Sequence, residues 1–178
     1  MRIVEGFRAA RLVLSREMPR EVVGVDDREQ AVRKIINEVR DRGDAALRDY
    51  TLKFDGVKLT SLEVKKEQIA SASQDVDAEL VSALKLAAER IRSFHTRQKE
   101  SIWGRAAEPG QGWLIRPLRR IGIYVPGGTA GTVPYPSTVL MTVIPARVAG
   151  VSEIILTTPP GSDGKVPPPT LVAADIAG

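Results

Sequence analysis

The sequence has no cysteine and a single histidine, His95. Without cysteine, these 178 residues can form no disulfide, thiolate nucleophile, iron–sulfur cluster or cysteine zinc site. One imidazole is too few for any centre that needs two. A histidine-rich zinc site therefore cannot be assembled from this sequence by itself. Aromatic residues make up only 4%, and 26 Lys+Arg are interspersed with 22 Asp+Glu for a formal net charge of +4. Nucleic-acid surfaces pair clustered cations with interleaved aromatics, so no nucleic-acid partner is expected. No apolar run approaches the roughly 20 residues of a membrane span. The opening MRIVEGFRAARLVLSREMPR is broken by arginine or glutamate every few residues, unlike the apolar centre of a secretory signal. The expected setting is cytoplasmic, with no membrane partner.

Hydrophobic residues amount to 43%, enough for a sizeable core. No internal repeat or low-complexity tract interrupts the chain. The first half reads as helical. Val32, Ile35, Ile36 and Val39 recur at helical spacing after Asp26 and Asp27, either of which can cap the helix. Gly43 interrupts, Asp44 caps a second helix with Leu47, Tyr50 and Phe54 as its apolar face, and Asp55-Gly56 ends it. The tripeptide Arg42-Gly43-Asp44 is accounted for as a helix stop and cap. A short extended piece over 62–64 precedes the clearest helix, between Asp77 and Lys99. There Leu80, Leu84, Ala87, Ile91 and Phe94 form one stripe.

The second half changes texture. Two extended segments, 113–120 and 121–125, lead into the loop PGGTAGTVPYP. A helix over 137–148 follows, with Pro145 inside and a kink or weakened turn expected there. An apolar β-rich run over 152–157, a proline-rich connection and a last helix over 170–176 complete the pattern. Strand, helix, strand and helix in this order specify an α/β fold with a parallel sheet. The expected domains are a mainly helical region, 1–104, and a βαβα region, 105–178, parted by the Gly/Pro stretch 104–112. A parallel sheet normally has several strands covered on both faces. Two good strands and a terminal helix near Gly178 fall short of that, so a domain incomplete at its C-terminus is expected.

The segment Tyr124-Val125-Pro126-Gly127-Gly128-Thr129-Ala130-Gly131 is the most informative. A glycine-rich turn between a parallel strand and a helix lets backbone N–H groups approach an anion or a dinucleotide. The spacing is neither G-x-G-x-x-G nor a Walker loop, so a tight βα connection and a phosphate cradle both remain open. Arg116, Arg119 and Arg120 could meet a phosphate or serve as solvated strand ends. Tyr124 and Tyr135 bracket the loop and could stack against a flat ring or simply pack. His95 has Ile91, Arg92, Gln98 and Lys99 as helical-turn neighbours, none of them a carboxylate to orient it as a base. A structural hydrogen bond at the helix edge is the simpler role.

Several motifs in order resemble the histidinol dehydrogenase family. They are Ile-Gly-Ile-Tyr-Val-Pro-Gly-Gly-Thr-Ala (121–130), Pro-Ser-Thr-Val-Leu-Met (136–141), Ile-Pro-Ala-Arg-Val-Ala-Gly-Val (144–151) and Thr-Thr-Pro-Pro (157–160). In the helical half, Arg-Gly-Asp-Ala-Ala-Leu-Arg-Asp-Tyr-Thr-Leu-Lys-Phe-Asp (42–55) and Phe-His-Thr-Arg-Gln-Lys (94–99) agree. The resemblance runs from about Asp27 to the end. It implies Rossmann-like domains, a homodimer, and NAD- and zinc-dependent oxidation of L-histidinol through an aldehyde to L-histidine. Tyr124 is similar to the family's NAD-contacting tyrosine, with Gly127 and Gly128 as the adjacent turn. No catalytic or metal-ligating residue carries over, and His95 matches a family position that is not a zinc ligand. The resemblance places the zinc ligands, the catalytic Glu-His pair and a Gly-Gly-Ala-Gln-type stretch beyond Gly178, so this chain by itself is expected to be inactive. Residues 131–135 lengthen the loop relative to the usual pattern. The alternative is a non-catalytic binding module that keeps the dinucleotide-type fold.

Overall fold

A computed structural model describes residues 25–105, 114–127 and 134–178. It divides into two units, residues 1–46 and 47–178. In the first, helix α1 (Val25–Arg42) carries helical-turn ion pairs between Arg33 and Glu29 (2.6 Å) and between Arg42 and Glu38 (3.8 Å). Of its apolar positions, Ile35 and Val39 are half-buried while Val32 and Ile36 are exposed. The Gly43 N–H donates to the Val39 carbonyl, and helix α2 (Asp44–Asp55) starts directly with Asp44 in its first turn. An acidic side chain there complements the helix dipole. Gly56 at φ 71° ends α2, donating to the Leu52 carbonyl, as the Asp-Gly pair predicts. The apolar face expected on α2 is not buried: Leu47 and Phe54 are exposed, and Phe54 instead stacks on Tyr50 at 5.5 Å.

Residues 57–65 belong to no strand. They lead into α3 (Lys66–Ser71), a 3-10 turn (Ala72–Asp75) and the long helix α4 (Ala78–Arg105). Then come β1 (Arg120–Tyr124), α5 (Pro136–Ala149), β2 (Glu153–Thr157) and α6 (Pro168–Ala177). Of the Gly/Pro stretch 104–112 expected as a domain boundary, residues 104 and 105 still belong to α4 and the rest lie outside the described residues. The extended reading begins to hold at Arg120; residues 114–118 carry no strand.

The two strands pair in parallel, Arg120 opposite Glu153 through Tyr124 opposite Thr157. The fold is therefore α/β with the βαβα order the sequence implies. Side chains alternate across the strands, so Ile121, Ile123, Ile154 and Leu156 turn to one face, where α4, α5 and α6 pack. Leu140, Ile144, Val125 and Val139 are fully buried there. Each such side chain contributes about 1.5–3 kcal/mol relative to an exposed one.

The stripe on α4 holds at its centre, where Ala87 and Ile91 pack against the core beside Leu84, and fails at its ends. Leu84 is buried, but so are Ala88 and, partly, Val81, whereas Leu80 and Phe94 are exposed. Ala87 and Ala88 lie in the cluster that α4 shares with α5. Helix α5 continues through Pro145 and stops at Gly150, φ 97°. The Gly150 and Val151 N–H groups donate to the Arg147 and Ala146 carbonyls, closing a Schellman pair. No described helix is long and apolar enough to cross a membrane.

Candidate functional site

The C-terminal edge of a parallel sheet is where α/β folds place ligands, because each strand there hands over to a loop and a helix N-terminus. Here that edge is built by Tyr124, Val125, Pro126 and Gly127 leaving β1 and by Thr157, Thr158 and two prolines leaving β2. The Val125 N–H donates to the Thr157 carbonyl at 2.9 Å and the Thr157 hydroxyl reaches the Ile123 carbonyl, so the two strand ends are tied together. Val125 is completely buried and anchors the exit. One residue before it, Tyr124 points the other way and is 65% exposed. The alternation of the strand thus presents an aromatic ring to solvent beside a half-buried Gly127.

Gly128 lies outside the described residues, as do residues 129–133 of the loop. The chain is described again at Pro134, with Tyr135 exposed at the N-cap of α5 and Pro136 in the first turn. The Tyr135 side chain makes no capping hydrogen bond to this helix start. Proline at the first position sacrifices no helical bond, and the remaining first-turn donors suit an anion.

The arginine cluster goes elsewhere. Arg120 begins β1 and forms an ion pair with Glu153 at 2.7 Å, across the register that pairs them. The hydrogen bond that the Arg120 guanidinium donates to the Glu153 carboxylate, together with the charge of Glu153, raises its pKa above the ordinary value. The Arg119 carbonyl accepts from the Ser152 hydroxyl at 2.9 Å and from the Glu153 N–H. Arg119 and Arg120 thus stand at the N-terminal edge, with the length of β1, about 13 Å from Arg120 to Tyr124, between them and the glycine turn. They are strand-end residues rather than partners of a phosphate at the loop.

His95 sits on α4, its Nδ1 2.9 Å from Gln98 Oε1 and its ring edge-on to Phe94. This matches the structural role expected of it. Among the described residues no group of three His, Asp or Glu side chains could hold a metal ion.

Two features escape sequence reasoning. Arg147, in the last turn of α5, reaches the Gly178 carbonyl at 2.6 Å and the Ser152 carbonyl at 3.1 Å, tying α6 to the entry of β2. A basic residue three before a helix-stop glycine is the only signal for it. An open groove of about 480 Å³ also lies beside Thr158 and Pro160, closed by Thr60, Leu62 and Lys165. Nothing in the local sequence brings the 58–64 segment to the loop after β2.

Residues 18–178 match the family model for histidinol dehydrogenase. The chain belongs to the histidinol dehydrogenase family. The histidinol dehydrogenase of Dehalococcoides mccartyi strain CBDB1 is 52% identical over 100% of this chain and 43% of that relative. That of Geobacillus kaustophilus is 50% identical over 85% of the chain and 35% of the relative. The crystal structure of histidinol dehydrogenase from Elizabethkingia anophelis superposes with a TM-score of 0.74 at 38% identity, covering 84% of this chain and 34% of that one. The chain thus spans less than half the length of the histidinol dehydrogenase relatives it matches.

Proposed function

We propose that this chain supplies part of the cofactor shelf of a histidinol dehydrogenase. That enzyme would be an oxidoreductase of histidine biosynthesis, taking L-histidinol through the aldehyde to L-histidine. The observation that carries the reading is Tyr124, exposed at the end of β1 and followed by Gly127 at the C-terminal edge of a parallel sheet.

These residues fit NAD. The Tyr124 ring is a solvated flat surface on which an adenine or nicotinamide ring can stack. Gly127, and Gly128 by the family resemblance, remove the side chains that would hold a cofactor away from the backbone. The positive end of the α5 dipole favours an anionic group nearby. When bound, NAD accepts hydride from the substrate carbon. The residues of this chain hold and orient; none is assigned a proton-transfer step. Zinc, the other group the resemblance implies, finds no ligand set among the described residues, and no step of this chain is routed through it.

The working form is a cytoplasmic homodimer of the whole enzyme with L-histidinol as substrate. The purified 178-residue chain is expected to leave L-histidinol unoxidised in the presence of NAD and zinc. Hydrogen exchange of the chain with and without NAD tests the shelf. Protection should appear at residues 120–127 and at the start of α5. Protection elsewhere, or none at saturating NAD, would reject the assignment.

A further inference from the structure

The segment 57–65 forms neither helix nor strand, yet Val57 within it is buried and Leu59 is half-buried. Both side chains lie against the loop that follows β2. A Cβ placed on Gly164 would stand 3.4 Å from Val57 Cγ1 and 3.6 Å from Leu59 Cδ2. The backbone at Gly164 has φ 78°, the left-handed region that favours glycine. Around it the loop closes on itself. The Gly161 N–H donates to the Lys165 carbonyl at 2.8 Å, the Gly164 N–H to the Gly161 carbonyl at 2.9 Å, and the Lys165 N–H to Asp163 Oδ1 at 3.0 Å. Among the described residues, no hydrogen bond joins this turn to the 57–65 segment. Beyond the contact the two segments part around the open groove, with Thr60 and Leu62 on one wall and Thr158 and Pro160 on the other.

We infer that Val57 and Leu59 are positioning residues for the cofactor edge: through Gly164 they fix where the loop after β2 stands. The inference rests on the reading of that edge as an NAD shelf. The ends of the loop are anchored, at β2 by the bond from the Val125 N–H to the Thr157 carbonyl and at α6 by the bond from the Thr170 N–H to the Pro167 carbonyl. Its middle is not. Every hydrogen bond that the described structure gives residues 161–165 stays inside the turn, so apolar packing fastens it. Tyr124 pairs with Thr157 in register, and neighbouring strands lie about 5 Å apart. A ring stacked on Tyr124 therefore lies beside Thr157 and the first residues of this loop. If the loop stands correctly for only a fraction of the time, apparent affinity falls by that fraction. Val57 and Leu59 touch no cofactor in this account; they act through Gly164.

The test compares Val57→Ala, Leu59→Ala and Val57→Ile with the wild-type 178-residue chain. Amide hydrogen exchange is measured without NAD, and NAD is titrated calorimetrically at a temperature where circular dichroism shows each variant folded. Val57→Ala removes two buried methyl groups and should weaken the hold on the loop roughly tenfold. Leu59 is half-buried, so Leu59→Ala is the milder truncation. In both, exchange at Gly161, Gly164 and Lys165 should quicken at least about fivefold by local opening, with β1 and α5 unchanged. NAD affinity should fall about fivefold as the correctly placed fraction drops to roughly one fifth. Val57→Ile should keep both readouts at wild-type values. Quickened exchange with unchanged NAD affinity would overturn the inference, since a contact that only packs does not move affinity in the folded chain. So would exchange that stays at wild-type rates, quickening that spreads through β1 and α5, or a Val57→Ile chain that behaves like Val57→Ala. A wild-type chain that binds no NAD would reject the shelf itself, a failure seen before any variant is made, and the inference would fall with it.

Discussion

Truncating Leu140 to alanine is the sharpest test of the packing that carries the cofactor edge. Leu140 is 1% exposed on the inner side of α5, within a cluster that includes Ile123, Val125, Ile144 and Val172. The substitution removes three carbons, worth about 0.8 kcal/mol each on transfer, and leaves a cavity that rigid neighbours on the sheet and α6 cannot fill. The expected loss is about 3 kcal/mol, a large part of the roughly 5–15 kcal/mol that holds a domain together. It corresponds to a fall in thermal midpoint of roughly 6–12 °C. The next residue provides the control. Met141 is 64% exposed, so Met141→Ala should change stability by no more than about 0.5 kcal/mol. Urea unfolding followed by circular dichroism at 222 nm measures both, and the slope of free energy against urea should stay constant. A loss below about 1 kcal/mol for Leu140→Ala, or equal losses for the two variants, would refute the assigned face of α5.

Two further substitutions probe the frame and the site. Gly150→Ala should cost about 1–2 kcal/mol, because φ is 97° and the new Cβ would lie 3.4 Å from the Pro117 side chain; a calorimetric melt indistinguishable from wild type would contradict the Schellman stop. His95→Ala should leave NAD affinity unchanged and shift stability by about 0.5 kcal/mol at most, since the ring is hydrogen-bonded to Gln98 on its own helix; a clear loss of affinity would make it a site residue.

Much of this fold is legible from local signals. The short apolar runs around Ile121–Ile123 and Ile154–Leu156 read as strands, and the helix between them makes them parallel. Gly43, Gly56 and Gly150 stop helices where the sequence places the stops. The edges of buried faces are less legible. Leu80 and Phe94 continue the stripe on α4 by spacing, yet Val81 and Ala88 are buried in their place because contact with α5 decides which side turns inward. A stripe of more than 100° leaves that choice to tertiary packing. Leu47 and Phe54 fail for a related reason: helical spacing identifies an apolar face without identifying what covers it.

The candidate site divides in the same way. Strand alternation fixes that Val125 is buried and Tyr124 exposed, so the ring beside the glycine turn was readable from the sequence. The sequence also brings Arg119 and Arg120 near that turn in number, but the strand carries them to the opposite edge of the sheet. Arg147 and the groove beside Thr158 depend on contacts between distant segments, which no local pattern encodes.

The central claim, that Tyr124 and the glycine turn form an NAD shelf, is tested most directly by titrating NAD calorimetrically into the wild-type chain and into Tyr124→Ala. Stacking of a base on an aromatic ring contributes about 1–3 kcal/mol, so the variant should bind roughly 5- to 150-fold more weakly. Because Tyr124 is exposed, its melting curve should match wild type. Equal affinity of the two proteins for NAD, or no heat of binding from the wild-type chain, would contradict the account.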